Sequence, residues 1–400
     1  MKDLKHLKYF EDLLEDINND LVRQAQAEGK LALGYTCFHA PEVLMNLDNC
    51  FSVRLRAPHT ESLEMSTYYM ANNSCEYARA LLERAIEGSL SFLDAMIGVD
   101  VCEANNRAIE NMEILKTQGE DKHNFFFSNL DIPYSDDEDC VLHLTEQVTR
   151  KILKPLHERY GVDISDAKVR EAVALHNEVC RIITELAEYK KPELPSITGY
   201  EFHVITLCTY VCPKWLIIDK LRETLEEVKN RKPDSKKFYR VRVALVGSEI
   251  DDPNVIRLIE DAGAFVVVDR FCFGSLPGRQ EIILNDEEDA VKQICRQNLM
   301  VTRCPRQCAK HCVDRRYDDV ARLVKEFNAD GAIYEQMKFC TYWSYERTMA
   351  SHIMPEEYDV ITLSIDRPYI VGNSGQLRTR IQAFVESLEI KKLHHKKEGK

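Results

Sequence analysis

The sequence lacks the features that mark three classes of protein. Glycine and proline number only 15 and 13 in 400 residues, which is too few for a fibrous or low-complexity chain. No apolar run reaches the roughly 18 residues of a membrane helix, and the first residues lead into a charged segment without the apolar core of a signal peptide. Cations are outnumbered, with 53 Lys and Arg against 66 Asp and Glu, so general binding to nucleic-acid phosphates is not expected. We therefore expect a cytoplasmic, acidic protein that binds neither nucleic acid nor a membrane.

Cysteine is the residue present in excess. The chain has 14 cysteines, which is many for a cytoplasmic protein and few for a small disulfide scaffold. Without an export signal, metal binding or redox chemistry is a better use for the set than disulfides. Any single cysteine can equally be a small buried apolar residue. That alternative holds for Cys50, Cys140, Cys180 and Cys295, and for the pair Cys208 and Cys212, which lies in an apolar helix.

Strand and helix patterns alternate in both halves of the chain, as in parallel βαβ units. The predicted strands are at 31–35, 51–55 and 95–101, and then at 241–246, 264–268, 331–335 and 360–364. The first 30 residues and the stretches 165–191 and 200–231 have helical spacing, and residues 229–237 form a charged, proline-containing linker. We predict an α/β fold with two Rossmann-like parallel-sheet domains, residues 1–164 and 236–400, joined by a helical middle segment, residues 165–235.

A cysteine spacing is repeated in the two halves. Cys75 and Cys102 stand on either side of a predicted helix and strand, 27 residues apart, and Cys312 and Cys340 do the same, 28 residues apart. Cys37 and Cys272 each follow a predicted strand. Because ligands of open parallel sheets bind at the carboxyl ends of the strands, we expect three cysteines from each half to meet there.

The expected metal ligands are therefore Cys37, Cys75, Cys102, Cys272, Cys340 and one of Cys304, Cys308 and Cys312, with Cys308 as the working choice. Soft thiolates with little histidine nearby suit an iron–sulfur cluster or zinc. Structural zinc sites favour short Cys pairs, whereas these positions are spread over whole βα units. The spread favours a cluster held between the domains.

Several segments of the chain resemble the 2-hydroxyacyl-CoA dehydratase and benzoyl-CoA reductase superfamily. Residues 34–42 (GYTCFHAPE) resemble its first cluster loop. Similar matches occur at 75–79, 269–275 and 330–340, and residues 375–386 resemble the family's closing signature. The resemblance covers nearly the whole chain.

The resemblance implies an iron–sulfur protein, and six cysteines make the chain most like the double-cubane branch. Such a protein would be a reductase that carries a double-cubane [8Fe–9S] cluster. Electrons would come from a separate ATP-hydrolysing iron–sulfur activator and would drive low-potential, anaerobic reduction of a small-molecule substrate, in a homodimer. One alternative is a subunit of a 2-hydroxyacyl-CoA dehydratase or benzoyl-CoA reductase with a single [4Fe–4S] cluster and an unlike partner chain. A second alternative is a non-catalytic electron-transfer protein.

Two residues outside the cysteine set are candidates for proton transfer. His39 and Glu42 follow Cys37 and are candidate catalytic proton donors, although Glu42 is equally an ordinary carboxylate in the first turn of a helix. The stretch 274–279 (GSLPGR) lacks the spacing of a phosphate-binding loop. ATP hydrolysis is therefore expected of a partner.

Overall fold

The structure, a computed structural model, describes residues 2–118, 125–275, 280–370 and 375–398. Two four-stranded parallel sheets form its framework. The first contains β1 (Leu31–Tyr35), β2 (Cys50–Arg54), β3 (Ala95–Asp100) and β4 (Phe126–Asp131), and the second contains β5 (Val241–Gly247), β6 (Ala264–Phe271), β7 (Gly331–Met337) and β8 (Thr362–Arg367). The prediction of an α/β fold with two parallel-sheet domains is confirmed. The domain limits at residues 164 and 235 stay a prediction.

The two sheets have the same strand order. The first runs β2-β1-β3-β4 and the second β6-β5-β7-β8, with every neighbouring pair parallel. In each sheet the first strand along the chain is therefore central and the second is at the edge. Cys37 follows a central strand, whereas Cys272 follows an edge strand, so the two cysteines do not occupy equivalent positions.

Helices cover the sheets and connect them. The first part of the chain forms α1 (Leu7–Leu14), α2 (Asp20–Ala27), α3 (Glu76–Ile86), α4 (Glu103–Gln118), α5 (Glu138–Val148) and α6 (Lys154–Tyr160). The middle of the chain forms α7 (Asp166–Glu188), α8 (Gly199–Val211) and α9 (Lys214–Asn230). The last part of the chain forms α10 (Asn254–Asp261), α11 (Ala290–Val301), α12 (Lys310–Glu326), α13 (Thr341–Tyr358) and α14 (Gly375–Glu398). Four of these helices contact the second sheet, whereas α11 packs against α5 and α7.

Two predicted helices are each divided in the structure. The first 30 residues form α1 and α2, because Asn19 caps a new helix through bonds from the N–H groups of Leu21 and Val22, both 3.1 Å. The stretch 200–231 forms α8 and α9, because Pro213 has no N–H to continue a helix. No described helix is long and apolar enough to cross a bilayer.

Helix α8 lies between the two sheets and holds them in their relative position. It packs against β2 of the first sheet and β6 of the second, and twelve of its thirteen residues are buried. A helix that is apolar on all sides belongs in a core, and here it lies between the two edge strands. A capping box of Thr198 and Glu201 starts it.

The carboxyl ends of the two sheets meet across the domain interface. Arg54, at the end of β2, donates to the carbonyl of Cys272 at 2.7 Å. Arg56 donates to the carbonyl of Asp251 at 2.8 Å. These bonds join the end of β2 to the loops that follow β5 and β6, and the second of these loops contains the predicted ligand Cys272.

Candidate metal centre between the two sheets

Six cysteines lie in the loops at this meeting of strand ends. Cys37 follows β1, Cys102 follows β3, Cys272 follows β6 and Cys340 follows β7, while Cys75 immediately precedes α3. The sixth is Cys304, in the loop between α11 and α12. Among the described residues no two cysteines form a disulfide.

The thiols interact across the domains in two groups of three. Burial raises the pKa of Cys272 well above its usual range, and the nearby Glu249 and the thiols of Cys304 and Cys37 raise it further. Burial likewise raises the pKa of Cys340, and the thiols of Cys75 and Cys102 add to the rise. We call Cys37, Cys272 and Cys304 the first trio, and Cys75, Cys102 and Cys340 the second trio. Each trio combines both domains, whereas the sequence repeat suggested one trio per half.

Cys304 interacts with both trios. Its charge raises the pKa of Cys37 in the first trio, after burial and Glu249, and it raises the pKa of Cys102 and Cys340 in the second. Cys304 therefore links the first trio to the second.

Backbone N–H groups at helix starts point toward several of these sulfurs. Asn105, in the first turn of α4, donates its N–H to Cys102 at 3.4 Å. Cys75 is the residue that caps α3, and burial raises its pKa to about 11 while the N–H groups of Ala78 and Tyr77 lower it. Cys340 is likewise the N-cap residue of α13. Helix N-termini stabilise anions, so this arrangement suits thiolates bound to an anionic cluster.

The spacing of the thiols differs from that of a single-ion site. Within the described ranges no three of the six sulfurs lie within 4.8 Å of one another. A tetrahedral zinc ion with bonds of about 2.3 Å requires sulfurs roughly 3.8 Å apart. An iron–sulfur cluster accepts wider spacing because each thiolate binds a different iron. Because burial raises the thiol pKa values, a metal core rather than free ionisation would have to displace the protons.

The three cysteines of the C-x₃-C-x₃-C run have different surroundings. Cys304 raises the pKa of the Cys37 and Cys272 thiols, after burial and Glu249, and Arg316 donates to its carbonyl at 3.3 Å. Cys308 is exposed, and Cys312 lies in the first turn of α12 beside Asp136 and His311. The structure thus brings Cys304 to the site rather than Cys308, the working choice from sequence.

Two residues that sequence reasoning missed stand at the centre of the site. Glu249 is two residues beyond β5, as Cys37 is two residues beyond β1, so the two positions are equivalent in the repeated folds. Burial raises the pKa of Glu249 to about 7 although Arg54 opposes the rise. Its charge acts on five of the six thiols, Cys37, Cys75, Cys102, Cys272 and Cys304. Its place after a central strand was the signal that could have found it.

Arg54 is the second missed residue. Its side chain is fully buried and lies 3.5 Å from the Glu249 carboxylate. Its Nε approaches the carbonyl of Thr36, beside Cys37, at 3.4 Å, and its guanidinium stands 3.8 Å from the Phe273 ring centre. Arg54 therefore positions the backbone on both sides of the first trio.

His39 is completely buried beside the first trio. Burial lowers the pKa of its imidazole to about 3, and Arg306 lowers it further. Neither ring nitrogen has a hydrogen-bond partner among the described residues. His39 is thus a neutral ring, stacked at 5.6 Å on Phe38.

Glu42 lies in a separate network that borders a cavity. Although burial raises its pKa, Lys214 and His176 hold that pKa well below the usual range. The carboxylate also accepts from Ser52 Oγ at 2.6 Å. The cavity beside it has a volume of about 190 Å³, and its wall includes Phe38, the residue after Cys37. The catalytic roles of His39 and Glu42 stay predictions.

The family of the chain follows from comparison with known proteins. The family model described as 2-hydroxyglutaryl-CoA dehydratase, D-component, matches residues 37–388. The chain belongs to this family. The resemblance found in the cluster loops is confirmed, and members of the family bind an iron–sulfur cluster, for which the six thiols are suitable ligands.

Curated relatives match over nearly their whole length. The chain is 22% identical to the (R)-phenyllactyl-CoA dehydratase beta subunit of Clostridium sporogenes, over 96% of this chain and 99% of that protein. It is 21% identical to a putative dehydratase subunit, YjiM, of Escherichia coli, over 92% and 94% of the two chains. It is also 21% identical to the beta subunit of (R)-2-hydroxyglutaryl-CoA dehydratase of Acidaminococcus fermentans, over 92% and 95%. These names favour the dehydratase-subunit alternative over the reductase.

Proposed function

We propose that this member of the dehydratase family is an iron–sulfur enzyme whose centre is a double cubane, one cubane at each thiol trio. The observation that carries the proposal is the convergence of six thiols from both domains into two linked trios. One cubane has four iron sites and therefore cannot bind six thiolates. Two cubanes joined by a bridging sulfide would use three thiolates each. Such a centre would supply electrons at very low potential.

The chain's own residues would tune and protect this centre. N–H donors at the starts of α3 and α4 would stabilise the anionic sulfurs. Arg54 would balance part of the negative charge while holding the loops of Cys37 and Cys272. Glu249, whose pKa is raised to about 7, would hold or release a proton near the centre at neutral pH. His39 and Glu42 are retained as further candidate proton donors.

Electrons would reach the centre from a separate ATP-hydrolysing iron–sulfur activator. The family and the lack of a phosphate-binding loop in the sequence support this part. The glycine-containing stretch 274–279, which lacks the required spacing, lies partly outside the described residues. A homodimer is the proposed assembly. The small-molecule substrate would enter beside Phe38, where the 190 Å³ cavity approaches the Cys37 loop.

The second candidate function is a 2-hydroxyacyl-CoA dehydratase subunit with a single [4Fe–4S] cluster and an unlike partner chain. The beta-subunit relatives favour it. In that case one trio would hold the cluster, and the other three thiols would remain free.

Metal and sulfide analysis of anaerobically purified protein distinguishes the two candidates. The double cubane predicts about eight irons per chain, and the single cubane about four. Zinc without iron would contradict both.

Turnover assays separate the enzymes from a simple electron carrier. Reduction of acetylene should require both the activator and Mg-ATP, whereas a dehydratase subunit should act on an (R)-2-hydroxyacyl-CoA with its partner chain. Full-rate acetylene reduction from dithionite alone would contradict ATP-gated electron transfer.

A further inference from the structure

A second cluster of side chains of the metal-ligand type, made of residues outside the two trios, joins the two domains. Asp136 lies in the loop between β4 and α5, on the first domain. His311 and Cys312 lie in the first turn of α12, on the second domain. The same loop is held by Arg306, which donates to the carbonyl of Pro133 at 2.9 Å. The cluster shares no residue with the six-thiol centre.

The three donor atoms of this cluster face one another. Asp136 Oδ1 lies 2.7 Å from His311 Nε2. His311 Nε2 lies 3.3 Å from Cys312 Sγ, which in turn lies 3.7 Å from Asp136 Oδ1. Within the described ranges this is the one group of three His, Cys, Asp or Glu side chains whose ligand atoms all lie within 4.8 Å.

These distances are close to those around a tetrahedral zinc ion. With Zn–N and Zn–O bonds of about 2.1 Å and Zn–S of about 2.3 Å, the ligand atoms stand roughly 3.4–3.6 Å apart. The O–N distance would have to open by roughly 0.7 Å to reach this range, and the other two need a few tenths of an ångström at most. The exposed His311 side chain can make the larger adjustment, since 52% of it is accessible.

The surroundings also suit a cation. Asp136 presents Oδ1 to the cluster, while its other oxygen, Oδ2, accepts from Arg315. A partner on the outer oxygen is the usual support of a carboxylate ligand. Asp136 and Cys312 are both well shielded, with 6% of the Asp136 side chain and 4% of Cys312 accessible.

We propose that Asp136, His311 and Cys312 bind one divalent transition-metal ion of the zinc type, with a fourth position open to water. A set of one carboxylate, one imidazole and one thiolate suits zinc, whereas magnesium and calcium prefer oxygen ligands. Binding transfers the Cys312 thiol proton to solvent as the metal–sulfur bond forms, with no change of oxidation state. The ion joins the β4–α5 loop to the start of α12, eight residues from Cys304.

The experiment uses the full chain with its iron–sulfur centre already loaded, so that the six thiols are occupied. Zn²⁺ is added anaerobically, the protein is desalted, and zinc and iron are counted per chain. Co²⁺ is then used as a spectroscopic probe, because a thiolate ligand gives a charge-transfer band and tetrahedral geometry gives intense visible bands. We expect one zinc per chain in addition to the iron.

Two variants and one matched control make the result specific. His311→Ala and Cys312→Ser should each lose the added zinc and the cobalt bands while keeping their iron. His143→Ala is the control, because His143 of α5 pairs with Asp131 of β4 at 3.0 Å and is not part of the three-ligand group. It should keep the zinc.

Three outcomes would overturn the proposal. They are wild-type protein that retains no zinc, zinc that persists in both site variants, and loss of iron from Cys312→Ser, which would make Cys312 an iron ligand. Circular dichroism of each variant establishes that it is folded. The isosteric Cys312→Ser keeps the test valid if His311→Ala is misfolded.

Discussion

Replacement of Arg54 by methionine tests whether one buried cation positions the first trio. Arg54 is fully buried, and its guanidinium contacts the carbonyls of Cys272 at 2.7 Å and Thr36 at 3.4 Å. Methionine keeps much of the volume and removes the charge and every donor. We expect Arg54→Met to lose iron and to be destabilised.

The magnitude follows from the contacts that are lost. A hydrogen bond from a charged donor contributes about 1.5–3 kcal/mol, and a desolvated cation over an aromatic ring contributes about 2 kcal/mol. Arg54 has one short bond, to Cys272, and stands 3.8 Å from the ring centre of Phe273. Glu249 would lose its counter-charge, but with a pKa already near 7 it can take up a proton. The expected destabilisation is about 3–5 kcal/mol.

Arg242→Met is the matched control for this experiment. Arg242 is also buried and donates to backbone carbonyls, among them Pro192 at 3.0 Å and Phe327 at 2.9 Å. It lies at the start of β5, at the opposite end of the second sheet from the trios. Thermal unfolding followed by circular dichroism should give lower midpoints for both variants, while iron analysis should show loss only in Arg54→Met. Full iron retention in Arg54→Met, or equal loss in both variants, would refute the positioning role.

Three further predictions concern the thiols and the buried acids and bases. Cys304→Ala should lose iron and its cluster absorbance, whereas Cys308→Ala should keep both; equal retention would contradict the placement of Cys304 in the site. Glu249→Gln should keep iron but lower turnover and remove the pH dependence near 7 in a kcat profile, and an unchanged profile would exclude a proton-transfer role. His176 should stabilise the fold at low rather than high pH. Although burial lowers its pKa, Cys180 and Glu42 raise that pKa to about 10, so its stabilisation is complete below about pH 6.5 and is lost as the pH rises toward 10. The difference in thermal midpoint between wild type and His176→Gln should therefore shrink from pH 6 to pH 10, and a constant difference would contradict the linkage.

The sequence predicted most of the sheet framework because buried parallel strands are continuous apolar runs. Strands β1, β3, β5 and β7 all lie at or within one or two residues of the predicted positions. Strand β4 was missed, since its sequence FFSNLD carries a serine, an asparagine and an aspartate and is only partly buried. Helix α13 was missed because it contains Pro355 and has few buried positions.

The candidate site was predictable as far as it depends on strand ends. Five of the six converging cysteines were expected at this place because each lies beside a predicted strand or helix. The choice among Cys304, Cys308 and Cys312 was not predictable, because it depends on how Arg316 and the loop before α12 pack in three dimensions.

The buried charges of the site could not be predicted from the sequence for a similar reason. Arg54 is the last residue of a strand, and the local sequence predicts that its side chain is exposed. It becomes buried because it crosses to the other domain and reaches Cys272, which is 218 residues away in the sequence. The grouping of the thiols into mixed trios was not predictable for the same reason. The repeat within the sequence identifies the two halves of the chain but not how the halves face each other.

An iron anomalous-difference map from crystals grown without oxygen tests the double-cubane centre most directly. Data collected on both sides of the iron absorption edge locate the iron atoms independently of any model of the cluster. We predict two adjacent groups of iron density between the carboxyl ends of the sheets, one within bonding distance of Cys37, Cys272 and Cys304 and the other of Cys75, Cys102 and Cys340. Iron at a single trio, or at any other place in the chain, would contradict the shared centre.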